Sequence, residues 1–215
     1  MFDIYLFDLD GTITDPGEGI TNSVMYALKK YGIIETDRTA LYKFIGPPLY
    51  SSFEKYYGFS HNQSIEAVEF YREYYRDTGI FENLVYSGVE DMLSTLKARG
   101  KTVVLATSKP EIFAKRILEH FGLAKYFDFV AGATLDGSLI NKADIIAYAL
   151  DTLNITDKSR CVMIGDRLHD IEGAKQNGIF SVGVTYGYGS FEELSDAGAD
   201  VIINFPLKML SLNFS

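Results

Sequence analysis

The sequence predicts an α/β fold: a parallel sheet covered by helices on both faces and interrupted after its first strand by a helical insertion. Short apolar runs rich in β-branched or aromatic residues recur along the 215 residues, helical spacings lie between the later runs, and one long segment offers no convincing strand. Strands alternating with helices indicate a parallel sheet. Continuous rather than alternating apolar runs indicate strands buried on both faces.

The first strand is expected at Ile4 to Phe7, the next at Thr102 to Ala106, Phe127 to Ala131, Cys161 to Ile164 and Phe180 to Val184. Helical spacing covers Val89 to Arg99, Glu111 to Phe121, Lys142 to Leu153 and Asp170 to Asn177, and Gly100, Gly122 and Gly178 stand where helices commonly stop. The stretch from Asp15 to Tyr86 breaks this rhythm with helical patterns at Ile20 to Tyr31 and Gln63 to Arg76. The organisation read from the sequence is therefore a core of residues 1–14 and 87–215 with an inserted helical unit, 15–86. Ten of the fifteen tyrosines fall in that insertion, and packing between helices accounts for most of them. Lys43 to Leu49, with two prolines, reads as a stiff turn between its helices, and Gly17, Gly19 and Gly88 are candidate hinge positions or, equally, surface turns.

Composition narrows the function. A hydrophobic content of 47% can bury one good core and one small accessory unit. With 29 acidic and 20 basic residues the net charge is -9, and no long Lys/Arg run occurs, which disfavours a nucleic-acid or anionic-membrane partner. No segment approaches the roughly 18 apolar residues that a membrane helix needs. The acidic start Met1 to Asp8 lacks a secretory signal, and the single Cys161 allows no disulfide within the chain. A soluble, cytoplasmic protein is expected.

The residues with chemical potential gather after strands. Asp8-Leu9-Asp10-Gly11-Thr12 directly follows the first strand, where open α/β sheets bind ligands. Two carboxylates two residues apart can divide the work of nucleophile and proton carrier, or one can cap a turn. Gly165-Asp166-Arg167-Leu168-His169-Asp170 follows another strand, and its carboxylates suit magnesium or, separately, a helix start. Thr107 and Ser108 end a third strand with hydroxyls that can hold a phosphate oxygen or cap a helix. Lys142 opens a helical run and, taken alone, reads as surface.

Taken together, Asp-x-Asp, hydroxyl, Lys and Asp-xxx-Asp occur in an order that resembles the haloacid dehalogenase superfamily of phosphatases, with Asp8 to Thr12, Thr107, Lys142 and Gly165 to Asp170 as its four motifs. The resemblance covers essentially the whole chain. It implies a Rossmann-like sheet of strand order 5-4-1-2-3 and identifies the insertion as a helical cap. It also implies one magnesium ion held by Asp8, the backbone carbonyl of Asp10 and Asp166, with Asp170 supporting from behind. By the same resemblance Asp8 is the nucleophile, Asp10 the acid and base, and Thr107, Ser108 and Lys142 the phosphate-binding groups. An Asp at position 10 favours phosphoryl transfer over halide displacement.

Among relatives, the sequence looks most like phosphoglycolate phosphatases and bacterial 5′-nucleotidases, which implies a small phosphorylated metabolite as substrate. It departs from their commoner pattern at Ser108, where many have Asn, and after Lys142, where Ala143-Asp144 replaces Pro. A sugar-phosphate mutase of the same superfamily and a non-catalytic phosphoaspartate or binding protein are the alternatives.

Overall fold

The computed structural model describes residues 2–212; Met1 and residues 213–215, the outer ends of the predicted core, lie outside the described residues. In chain order the elements are β1 (Ile4–Phe7), β2 (Thr14–Asp15), α1 (Gly17–Lys30), α2 (Leu49–Tyr57), α3 (His61–Tyr74), β3 (Leu84–Val85), α4 (Val89–Ala98), β4 (Thr102–Pro110) and α5 (Glu111–His120). They continue as β5 (Phe129–Ala133), α6 (Lys142–Thr152), β6 (Cys161–Gly165), α7 (Leu168–Asn177), β7 (Phe180–Val184), α8 (Phe191–Asp196) and β8 (Val201–Ile203). Two compact units result: Met1–Thr14 with Val85–Ser215, and Asp15–Leu84.

The first unit holds a six-stranded sheet of order β5-β4-β1-β6-β7-β8. Its neighbouring strands pair in parallel throughout. Read from the β8 edge, the five predicted strands stand in the order 5-4-1-2-3, with β8 as a sixth outside them. Leu6, Val104, Ala106 and Met163 of the central strands pack against Ile145, Ile146, Ala149 and Leu150 of α6 and Ala174 of α7. Buried Met92, Leu93 and Leu96 of α4 and Ile117 of α5 lie outside that cluster. Right-handed crossovers explain the division, because the chain moves one way along the sheet through α4 and α5 and the other way through α6 and α7.

Four boundaries differ from the sequence expectation. β8 was not expected, because Val201-Ile202-Ile203 is too short between Asp200 and Asn204 to give a period. β4 runs on to Pro110 through a register irregularity between Thr107 and Pro110. β5 starts at Phe129, two residues late, since the Asp128 side chain accepts the Val103 N–H at 2.8 Å. α7 starts at Leu168, so Asp170 lies within its first turn. Gly178, at φ 69°, ends α7 in the left-handed conformation that favours glycine.

The second unit is helical. Val24, Ala27 and Leu28 of α1, Phe53 of α2 and Val68 and Tyr71 of α3 form its buried interior. Tyr71 stacks on Tyr75 with ring centroids 5.2 Å apart, and Tyr31 lies 4.6 Å from Phe59, so packing uses several of its tyrosines. Ser60 and Gln63 form a reciprocal capping box at the start of α3. Gly17 and Gly19, candidate hinge positions by sequence, instead lie in α1, where a Cβ on Gly19 would stand 1.8 Å from the Gly79 carbonyl oxygen. Among the described residues, no helix is long and apolar enough to cross a membrane.

Candidate active site

The carboxyl ends of β1, β4 and β6, adjacent in the sheet, bring the predicted residues of the core together. Asp8 follows β1, and its N–H donates to the Ile164 carbonyl at 2.9 Å, tying the backbone to the end of β6. Asp166 follows β6 and is fully buried, as is Asp170. The Asp170 Oδ2 accepts the Arg167 N–H at 3.1 Å, so the same side chain also caps α7. Lys142, the first residue of α6, is buried and reaches back beneath the strand ends. Its Nζ donates to the Ala106 carbonyl at 3.0 Å and lies 2.8 Å from both Asp8 Oδ1 and Asp170 Oδ1. These two carboxylate contacts are ion pairs without hydrogen-bond alignment. One oxygen from each of Asp8, Asp166 and Asp170 falls within 4.8 Å of the others.

This concentration of acids has an electrostatic cost. Burial raises the Asp166 pKa well above the ordinary carboxylate range, and Asp170 and Asp8 push it in the same direction. Burial also pushes Asp170 up to about 6, against the opposing pull of Lys142. For Lys142, burial works against the charged form, but Asp170 and Asp8 outweigh it and hold the ammonium well above its usual range. Asp10 is likewise raised by burial, with Lys109 as the main opposing charge. Four carboxylates (Asp8, Asp10, Asp166, Asp170) meet two ammonium groups (Lys109, Lys142), a formal balance of two minus four, or -2. A divalent cation bound by hard oxygen donors would cancel it, so the residues fit such an ion.

Asp10 stands apart from the three-carboxylate cluster. Its Oδ2 accepts from Lys109 Nζ at 2.5 Å. Thr107 is buried in β4, and its Oγ1 accepts the Lys109 N–H at 3.3 Å. Ser108, beside it, is half-buried.

Sequence reasoning missed a second layer. Lys109 gave no signal beyond its position two residues after Thr107. Thr12 donates to Asp166 Oδ1 at 3.4 Å, the Tyr188 N–H donates to Asp166 Oδ2 at 2.8 Å, and the Tyr186 hydroxyl donates to the Thr12 carbonyl at 3.1 Å. The Tyr186-Gly187-Tyr188-Gly189 stretch after β7 therefore folds back around Asp166. A Cβ on Gly189 would stand 1.8 Å from the Asp166 carbonyl oxygen. Gly11, at φ +83°, is restricted twice: by its backbone and by Asp166 Oδ2, 2.1 Å from where a Cβ would be. The pair of glycines within three residues was the available signal.

Residues 5–184 match the family model of haloacid dehalogenase-like hydrolases. The chain is 48% identical over 189 residues to a 5′-nucleotidase of Pseudomonas aeruginosa, covering 88% of this chain and 85% of that one. It is 36% identical to the tyrosine-protein kinase PtkA of Mycobacterium tuberculosis over 93% of this chain and 67% of the relative. The crystal structure of a predicted phosphatase from Clostridium acetobutylicum superposes with a TM-score of 0.94 at 50% identity, covering 99% of this chain and 100% of that one. Sequence match, sheet order and the convergence of Asp8, Lys142, Asp166 and Asp170 agree: this chain belongs to the haloacid dehalogenase-like hydrolase family.

Proposed function

We propose that this chain is a magnesium-dependent phosphatase that hydrolyses a small phosphomonoester, with nucleoside 5′-monophosphates as the leading substrate class, through a phosphoryl group carried on Asp8. The observation that carries this reading is Lys142 Nζ at 2.8 Å from Asp8 Oδ1, beside the Asp166 and Asp170 carboxylates. A lone buried acid would only be costly. An acid at a strand end with a fixed cation and a divalent-ion cluster is equipped to meet a phosphate dianion.

In this reading Asp8, Asp166 and the Asp10 carbonyl hold the magnesium, with Asp170 supporting through Lys142 and the α7 cap. When bound, the ion withdraws charge from the phosphoryl oxygens and from Asp8. Lys142 neutralises the remaining repulsion, and a free Asp8 oxygen attacks phosphorus as the ester P–O bond breaks. Thr107 receives the Lys109 N–H on one lone pair and keeps its hydroxyl proton for a phosphoryl oxygen; Ser108 borders the same position. Asp10 gives its proton to the departing alkoxide. It then takes one from the water that attacks the aspartyl-phosphate, which frees inorganic phosphate and restores both carboxyl groups.

A choice of nucleoside 5′-monophosphates follows from the 48% identity to the Pseudomonas aeruginosa 5′-nucleotidase. Phosphate release from nucleoside monophosphates, phosphoglycolate and sugar phosphates, with magnesium or with chelator, tests it. Release that needs magnesium and no added acceptor supports hydrolysis. An isomerised sugar phosphate without free phosphate, or transfer to a tyrosine hydroxyl in its place, overturns it.

A further inference from the structure

We propose that Lys109 is a positioning residue for Asp10, fixing which carboxylate oxygen meets the leaving group; the inference rests on the phosphatase reading above. Three observations carry it. The register of β4 shifts between Thr107 and Pro110, and Lys109 lies inside that irregularity. Bulges of this kind re-aim a side chain near a site. Here the lysine is 9% exposed and its ammonium sits 2.5 Å from Asp10 Oδ2, in a chain that separates the two residues by 99 positions.

The two Asp10 oxygens are also unequal. Oδ2 is held by Lys109, while Oδ1 is buried with no hydrogen-bond partner among the described residues. One oxygen is anchored and the other presented. Finally, the two buried lysines divide the acids: Lys142 serves Asp8 and Asp170, and Lys109 serves Asp10. The ammonium donates to Oδ2 whether or not Oδ1 carries a proton, and this charge-assisted hydrogen bond restrains Asp10 to one orientation. Lys109 thus acts on the ester bond through Asp10, and its removal slows reactions in proportion to their need for a proton at the leaving oxygen.

That dependence supplies the test. p-Nitrophenyl phosphate releases a phenolate that leaves without protonation, whereas an alkyl ester such as a nucleoside 5′-monophosphate needs the proton. Values of kcat/KM, which read the step in which the ester bond breaks, are compared for wild type, Lys109→Met, Lys109→Gln, Lys109→Arg, Asp10→Asn and the double variant Asp10→Asn/Lys109→Met. Lys109→Met and Lys109→Gln are expected to lose about a hundredfold on the alkyl ester. On p-nitrophenyl phosphate the loss is expected to stay under about tenfold, which also shows the variants folded. Lys109→Arg restores part of the alkyl-ester rate. The double variant falls no further than Asp10→Asn alone, as for two residues acting as one unit.

Equal losses on both esters, including complete loss, or no loss on either, overturn the inference. A wild-type protein that releases phosphate from neither ester overturns the phosphatase reading instead. The two failures are therefore distinct.

Discussion

Lys142 Nζ and Asp8 Oδ1 lie 2.8 Å apart although 134 residues separate them, and the contact joins the first residue of α6 to the end of β1. Replacing Lys142 with Met keeps much of the side-chain volume and removes the charge. Asp8 and Asp170 then remain buried without their cation. Loss of a fixed cation facing a phosphoryl group is expected to lower kcat/KM by at least about a hundredfold. Leaving buried carboxylates unpaired is expected to cost about 3–5 kcal/mol at neutral pH. Urea unfolding at pH 7.5 and 5 measures the second effect. The deficit should shrink at the lower pH as Asp170, already raised to about 6 by burial, takes up a proton.

Asp8→Asn exchanges the proposed nucleophilic oxygen for an amide of nearly equal size. Turnover is expected to vanish while the fold persists, since the Asp8 backbone N–H still donates to Ile164. Removing one negative charge from the cluster should leave thermal stability unchanged or raise it. Acid-stable phosphate release from the variant, measured against wild type, would refute the assignment of Asp8.

The raised pKa values of Asp166 and Asp170 give the metal-free protein a definite pH dependence. Both acids bind protons more tightly when folded than when unfolded. Their contribution is fully favourable below the ordinary carboxylate range and is lost as pH rises, through about 6 for Asp170. Metal-free protein should therefore melt at a higher temperature at pH 5 than the same two acids allow at pH 7.5. Magnesium should reverse the order of benefit. It competes with those protons, so the rise in Tm on adding it is expected to be larger at pH 7.5 than at pH 5. Calorimetry at both pH values, with chelator and with saturating magnesium, checks the sign.

The sequence made much of the core legible because its signals were local. Ile4 to Phe7 and Cys161 to Ile164 are unbroken apolar runs, and each is followed immediately by Asp and Gly residues. The three-residue β8 was too short to carry a period. Lys109 was lost for another reason: its partner Asp10 is 99 residues away, and no local pattern announces a contact made by a strand irregularity. The role of Gly187 and Gly189 was not legible, since their necessity comes from Asp166 on a neighbouring strand end.

Gly187 gives the sharpest test of that second layer. A Cβ there would stand 2.2 Å from the Gly11 carbonyl oxygen and 2.6 Å from the Asp166 Cβ, so Gly187→Ala must displace the backbone that carries Asp166 or the turn after Asp10. Gly100 offers the contrast. It adopts φ +68° with nothing within 4 Å of an added Cβ, and Gly100→Ala should cost only about 1 kcal/mol of backbone strain. Both variants lose some stability, but only Gly187→Ala should lose divalent-ion affinity. A loss of about 10–100-fold is expected for a group that orients a metal ligand. Manganese binding followed by electron paramagnetic resonance reads affinity without turnover. Equal manganese affinity in the two variants would mean that the Tyr186–Gly189 loop braces the fold without orienting Asp166.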